Sequence, residues 1–269
     1  MASSWRDNFT VLVILNYHGV EPTQEMSGNV ISLRLFRSHL RTLRDLGFKS
    51  PLDEIFEGGI FRYPDRGKFA LITFDDGFES VYRYAYPLME EFGFKGVVFV
   101  ISGYIGRENV WDIPLGRKRH LSQQQIRELS DRGWIVGSHS CSHPDLTRLR
   151  PGELREELVA SRETLEDITG KEVKLFSYPY SRLNETVKLE VSRAGYSYAF
   201  RSRRSLKNGH FDPLSIERIS LYPIDLNIRR KIETFSPRRS YEILKEKAVG
   251  LFSYISAYAR HKFPAAGGI

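Results

Sequence analysis

The sequence predicts an α/β fold: a distorted, closed or incomplete (β/α) barrel with about seven parallel strands, its competitor being a doubly wound open sheet. Three observations predict it. Short β-rich apolar runs recur along the chain, helical patterns with their own start and stop signals fill the intervals, and 269 residues suit one barrel domain. The runs are Val11 to Leu15, Ala70 to Phe74, Val97 to Ile101, Trp134 to Val136, Lys174 to Phe176, Tyr196 to Phe200 and Ile216 to Leu221.

Spacing and caps justify the helices. Phe36, Leu40 and Leu43 share one helical face, and Gly47 ends that helix. Ser122 with Gln125 forms a capping-box signature ahead of a helix ending at Gly133. Pro151 opens a long helix that ends at Gly170, and Asn184 caps another that stops at Gly195. Regular alternation of strand and helix implies parallel pairing through right-handed crossovers, which gathers functional residues at the carboxyl ends of the strands. No repeat, low-complexity tract or linker divides the chain. It reads as one domain over 1–269, with a core from about Val11 to Leu221, a C-terminal helical extension over about 238–262, and a small-residue ending, 265–269, expected to be disordered.

Composition narrows the function classes. With 41% hydrophobic and 27% charged residues, and no apolar run near the roughly 20 residues of a membrane span, a transmembrane reading is set aside. The net charge of +7 raises nucleic acid as a partner, but the basic residues are spread along the chain, so none is expected. Val11 to Leu15 is too short for the core of a signal peptide, for which about 7 to 15 residues are needed, and Cys141 is the only cysteine. The default expectation is a cytoplasmic location. Arg238 to Lys262 mixes Leu251, Phe252, Tyr254, Ile255 and Tyr258 with basic residues, which suits packing against the barrel or peripheral contact with a membrane surface.

Two segments carry chemistry. Thr73 to Gly77 ends a predicted strand and sets Asp75 and Asp76 side by side where a parallel barrel builds its site, although an Asp-Gly pair by itself reads as a turn. Gly137 to Pro144 follows another strand. His139 and His143, four apart, fall on one side of a helical turn, so both imidazoles can converge on one ion, whereas Cys141 points elsewhere and reads as a packing residue. One Asp and two His supply the three ligands of a hydrolytic metal site, leaving the other carboxylate to take a proton from water.

These residues resemble the polysaccharide deacetylase family, also called the NodB-homology carbohydrate esterases. Its first motif stands here as Thr73-Phe74-Asp75-Asp76-Gly77, and its second, a His-Ser segment closing in His-Pro, as residues 139 to 144. The resemblance implies that Asp75 is the general base, and that Asp76, His139 and His143 hold a divalent ion, zinc first and cobalt, nickel, iron or manganese as alternatives. It implies removal of N-acetyl groups from a carbohydrate substrate, with release of acetate. Rival readings are hydrolysis of a ureide-type amide and a catalytically silent carbohydrate-binding relative.

The third motif, Arg-x-Pro-Phe/Tyr in the family, reads Ser177-Tyr178-Pro179-Tyr180 here. The resemblance makes the Tyr180 backbone N–H an oxyanion donor; the motif's Arg, which steadies the base, is missing, and Arg218 on the last predicted strand is the candidate replacement. The late Leu-x-His motif that supplies the general acid is not visible. His18, within Asn16-Tyr17-His18-Gly19, His210, and Asp75 itself are the candidates. Tyr-His near the amino end and Tyr-Pro-Tyr in the third motif place the chain nearer the poly-N-acetylglucosamine branch. Tyr178, Tyr180 and Trp111 are candidate sugar-stacking residues, and Arg201, with Arg203 and Arg204, is a candidate reader of an anionic or lipid-linked substrate.

Overall fold

The computed structural model describes residues 10–23, 30–56, 67–108, 118–202 and 212–233. Its strands are β1 (Thr10–Tyr17), β2 (Gly19–Glu21), β3 (Val30–Ser32), β4 (Phe48–Lys49), β5 (Gly67–Phe74), β6 (Gly96–Val100), β7 (Ile135–Ser138), β8 (Leu175–Ser177), β9 (Tyr198–Ser202) and β10 (Ile216–Ser220). Its helices are α1 (Leu33–Asp45), α2 (Leu52–Ile55), α3 (Tyr86–Phe92), α4 (Gln123–Asp131), α5 (Pro151–Thr169), α6 (Glu185–Arg193) and α7 (Ile228–Glu233). The seven runs read from the sequence are β1 and β5 to β10. They form a closed ring of parallel strands in the order β1-β10-β9-β8-β7-β6-β5, because β1 pairs with β10 at one edge and along its whole length with β5 at the other. The ring is therefore complete, and the open doubly wound sheet is excluded.

The helices begin and end where the local chemistry directs. Ser122 accepts from the Gln125 N–H while the Gln125 side chain accepts from the Ser122 N–H, closing the capping box of α4. Pro151 occupies the first turn of α5, and Gly170, at φ 66°, ends it in the left-handed region that a side chain disfavours. Asn184 accepts from the Val187 N–H at the start of α6. Helix α5 turns Leu154, Leu158, Ser161, Leu165 and Ile168 to the barrel, and each of its buried leucines contributes roughly 1.5–3 kcal/mol. One π-helical turn, Val81–Ala85, leads into α3; sequence spacing gave no sign of it.

Alternation along each strand sorts the side chains into two sets. Val13, Leu15, Tyr17, Ile72, Phe74, Val98, Phe176, Tyr178 and Ala199 face the helices and form the outer core. Ile14, Leu71, Val97, Phe99, Leu175, Phe200 and Ile216 face inward, joined by Leu52 and Ile55 of α2. Two residues further toward the carboxyl ends, the inward positions turn polar: Asn16, Thr73, Ser177 and Arg218, all fully or almost fully buried. Two residues beyond these come His18 and Asp75. The barrel thus carries an apolar floor, a polar layer and a titratable rim. Among the described residues no helix is long and apolar enough to cross a membrane. The proposed C-terminal extension and the small-residue ending lie outside the described residues.

Candidate active site

Asp76 lies in the first motif, two residues beyond the end of β5, and His139 and His143 bracket the loop after β7. All three are buried, and their ligand atoms lie within 4.8 Å of one another. The His139 Nε2 and His143 Nε2 atoms are 3.1 Å apart, and Asp76 Oδ1 lies 3.5 and 3.6 Å from them. Ligand atoms held about 2.1 Å from a tetrahedral ion stand roughly 3.4 Å from one another, so these separations fit a zinc-type cation. The chemistry of the donors agrees. His139 Nδ1 is 2.7 Å from the Ser177 carbonyl oxygen, which can only accept; Nδ1 therefore carries a proton, and Nε2 is the nitrogen left to face the cluster as a ligand atom.

Unusual backbone supports this convergence. Among the described residues, the non-glycine positions with positive φ are Asp76 (68°), Ser140 (66°), His143 (59°), Tyr180 (55°) and Ser181 (53°). Each costs on the order of 1 kcal/mol, and all stand in the three loops that meet here. The Asp76 conformation is held by His120, whose Nδ1 donates to the Asp76 carbonyl at 2.8 Å. His143 donates its N–H to Ser140 Oγ at 2.9 Å, and Ser140 donates its own to Ser138 Oγ at 3.1 Å.

Asp75 projects inward from the same strand end. Arg218 meets it face on, with Nη1 donating to Oδ1 at 2.9 Å and Nη2 to Oδ2 at 2.7 Å. The same guanidinium also donates to Thr73 Oγ1 at 3.1 Å and Ser177 Oγ at 2.8 Å, and its carbon sits 5.2 and 5.8 Å from the Phe99 and Phe200 ring centres. Asn16 Nδ2 adds a bond to Asp75 Oδ2 at 3.0 Å. Burial on its own would raise the Asp75 carboxyl, but the Arg218 charge and its hydrogen bonds, with His139 and His18 assisting, hold it well below the usual carboxylate range. The carboxylate is ionised and fixed beside the Asp76, His139 and His143 cluster.

The other candidates fall into three groups. His18 reaches the site: burial lowers its imidazole to about 4, with Asp75 opposing and His139 and Arg218 assisting, so it is neutral at pH 7. Tyr180 also reaches it, its ring packing against His143 with centres 4.6 Å apart. Tyr178 and Arg201 require correction. The extended backbone runs on past Phe176, so Ser177 points into the barrel and Tyr178 points away; Tyr178 is 1% exposed in the outer core and donates to the Leu214 carbonyl at 2.9 Å, out of reach of a sugar. Arg201 follows inward-facing Phe200 and therefore lies on the outer wall, donating to Ser215 Oγ at 2.7 Å and paired with its cross-strand neighbour Glu217 at 2.7 Å. Trp111, Arg203, Arg204 and His210 lie outside the described residues.

Sequence reading missed Asn16, His120 and the Asp145–Arg182 ion pair, whose 2.5 Å contact ties the histidine loop to the Tyr180 loop. Only Asn16 left a trace. It sits two residues before His18, on the parity that points inward.

The family model for polysaccharide deacetylases matches residues 62–199, about half of the sequence, including both carboxylates and both histidines. The chain belongs to the polysaccharide deacetylase family. A Bacillus subtilis (strain 168) protein named as a polysaccharide deacetylase, YxkH, is 30% identical over 192 residues, covering 69% of this chain and 62% of its own length. The chain thus spans less than two thirds of that relative. The poly-beta-1,6-N-acetyl-D-glucosamine N-deacetylase of Staphylococcus aureus (strain MRSA252) is 23% identical over 210 residues, covering 69% of this chain and 70% of that one. Among solved structures, IcaB from Ammonifex degensii superposes with a TM-score of 0.66 at 29% identity, over 81% of this chain and 95% of that one.

Proposed function

We propose that this family member is a cation-dependent N-deacetylase acting on a glycan that contains N-acetylglucosamine. One observation carries the reading: a buried Asp-His-His cluster with cation-compatible separations stands beside a second carboxylate that Arg218 keeps ionised. Asp76, His139 and His143 would hold a divalent ion of the zinc type, which would supply Lewis acidity and lower the cost of deprotonating water there. Asp75 accepts the proton as water attacks the acetamide carbonyl, which suits a carboxylate fixed by three hydrogen bonds and unable to swing. The Tyr180 N–H, presented by a left-handed residue at the loop tip, donates to the developing oxyanion. Once protonated, Asp75 is a strong acid for the same reason that it was a stable anion, and it returns its proton to the departing nitrogen. Arg218 is a positioning residue, taking the part that the family gives to the Arg of its third motif.

The IcaB likeness and the similarity to the staphylococcal enzyme support β-1,6-linked poly-N-acetylglucosamine as the first substrate to try. The test is acetate release from N-acetylglucosamine oligomers by protein supplied with Zn²⁺, with Asp75→Asn as the blank. Equal release by the two proteins rules out the mechanism, and no release by wild type from any N-acetylated sugar rules out the activity.

A further inference from the structure

The loop between the two histidines is held from outside by a residue in neither motif. Every backbone N–H from Ser140 to His143 has a side-chain acceptor. Ser140 and His143 use the local hydroxyls of Ser138 and Ser140, while Cys141 and Ser142 both donate to Glu157 Oε2, at 2.9 and 2.8 Å. Ser142 Oγ donates to Glu157 Oε1 at 2.5 Å, so both carboxylate oxygens are engaged. The N–H pair follows left-handed Ser140, an arrangement that makes a small anion-holding concavity. Glu157 is fixed in turn by α5, whose next turn repeats the contact: Ser161 Oγ lies 2.8 Å from Ser138 Oγ, four residues on and on the same helix face.

We propose that Glu157 is a positioning residue for the cation cluster, its carboxylate keeping the strained loop in the one conformation that brings His139 Nε2 and His143 Nε2 together. The inference rests on the reading of Asp76, His139 and His143 as cation ligands. Partners one shell out from metal ligands typically affect affinity 10- to 100-fold, and Glu157 holds the loop at its midpoint, Cys141, and at Ser142 beyond it. A cavity of about 350 Å³ lined by Cys141, Ser142, Pro144 and Glu157 already adjoins this carboxylate. Water can therefore occupy the space in Glu157→Ala without disturbing the helix.

The experiment measures Zn²⁺ affinity by competition with a chromophoric chelator, alongside the melting temperature of the metal-free protein. The proteins are wild type, Glu157→Ala, Glu157→Gln and, as a control on the exposed face of α5, Glu163→Ala. The expected result is a Zn²⁺ Kd weakened about 10- to 100-fold in Glu157→Ala and less in Glu157→Gln, which keeps one acceptor oxygen. Metal-free melting should stay within a few degrees of wild type, and kcat should return at saturating Zn²⁺. An unchanged Kd in Glu157→Ala overturns the proposal, as does a loss of affinity shared by Glu163→Ala or matched by general unfolding. If wild type itself fails to bind Zn²⁺, the cation reading fails first, which separates the two failures.

Discussion

Replacing Arg218 by Met keeps a long apolar stem between Phe99 and Phe200 and deletes the guanidinium. Four hydrogen bonds disappear: two to Asp75, one to Thr73 and one to Ser177. Asp75 then keeps the Asn16 amide at 3.0 Å as its remaining strong neutral donor, while its burial is unchanged. Leaving one member of a buried ion pair uncompensated costs about 3–5 kcal/mol. At roughly 2–4 °C per kcal/mol for a chain of this size, the melting temperature falls by about 10 °C. The lost charge also removes the main counterweight to burial, so the Asp75 carboxyl rises, and the acid limb of kcat/KM moves up with it. Calorimetry or urea unfolding reads the first effect, and a pH profile on an acetylated oligosaccharide reads the second. The double variant Asp75→Asn, Arg218→Met removes charge from both partners and regains part of the loss, with a coupling on the order of 2 kcal/mol. A single variant within about 1 kcal/mol of wild type, or a double variant no more stable than Arg218→Met, refutes the argument that Arg218 exists to hold Asp75 ionised.

Other outcomes follow from the same geometry. Asp75→Asn keeps Zn²⁺ bound, because the ligands are elsewhere, and loses about 10²- to 10⁴-fold in kcat, checked by metal content and acetate release together. His139→Ala and His143→Ala lose the ion itself, and unchanged metal content after dialysis would count against the cluster. The Asp75 carboxyl lies lower in the folded than in the unfolded chain, so its stabilisation is full above about pH 4, the ordinary carboxylate value. That stabilisation fades as pH falls further, so the stability gap between wild type and Asp75→Asn should shrink in acid unfolding series. His18, lowered to about 4, disfavours folding as pH drops from about 6.5 toward that value, because the unfolded chain takes the proton first; His18→Gln should flatten this part of the stability curve. A Cβ on Gly103 would lie 2.7 Å from the Cys141 carbonyl, so Gly103→Ala should push the histidine loop and weaken Zn²⁺ binding without touching a ligand.

The ring strands were legible because each is a short apolar run between strong punctuation, and α1, α4, α5 and α6 because apolar spacing, Ser122, Pro151, Asn184 and the terminal glycines mark them by local chemistry alone; α2, α3 and α7 are not among the helices that the sequence predicts. The titratable cluster was legible because its residues crowd two short motifs at strand ends. What failed was parity. Ending the eighth strand at Phe176 left the direction of the next residues open, and one further extended residue puts Ser177 inside and Tyr178 outside. Arg201 differs for the same reason: Phe200 already points inward, so the next side chain lies on the outer wall beside Glu217. Glu157 and His120 left no signal because a helix-face carboxylate and a loop imidazole acquire meaning only when the tertiary fold brings a backbone group against them.

The Arg218 arrangement constrains how the barrel can change. Its guanidinium lies in the polar layer only because residue 177, on another strand, is no larger than Ser, whose hydroxyl then becomes one more acceptor. Restoring a long cation at 177 would drive two positive groups into space that holds one, so positions 177 and 218 can exchange roles only as a pair. Seen this way, the barrel wall is a set of interchangeable mounting points, and the cation that faces Asp75 belongs to a depth within the ring rather than to a place in the chain.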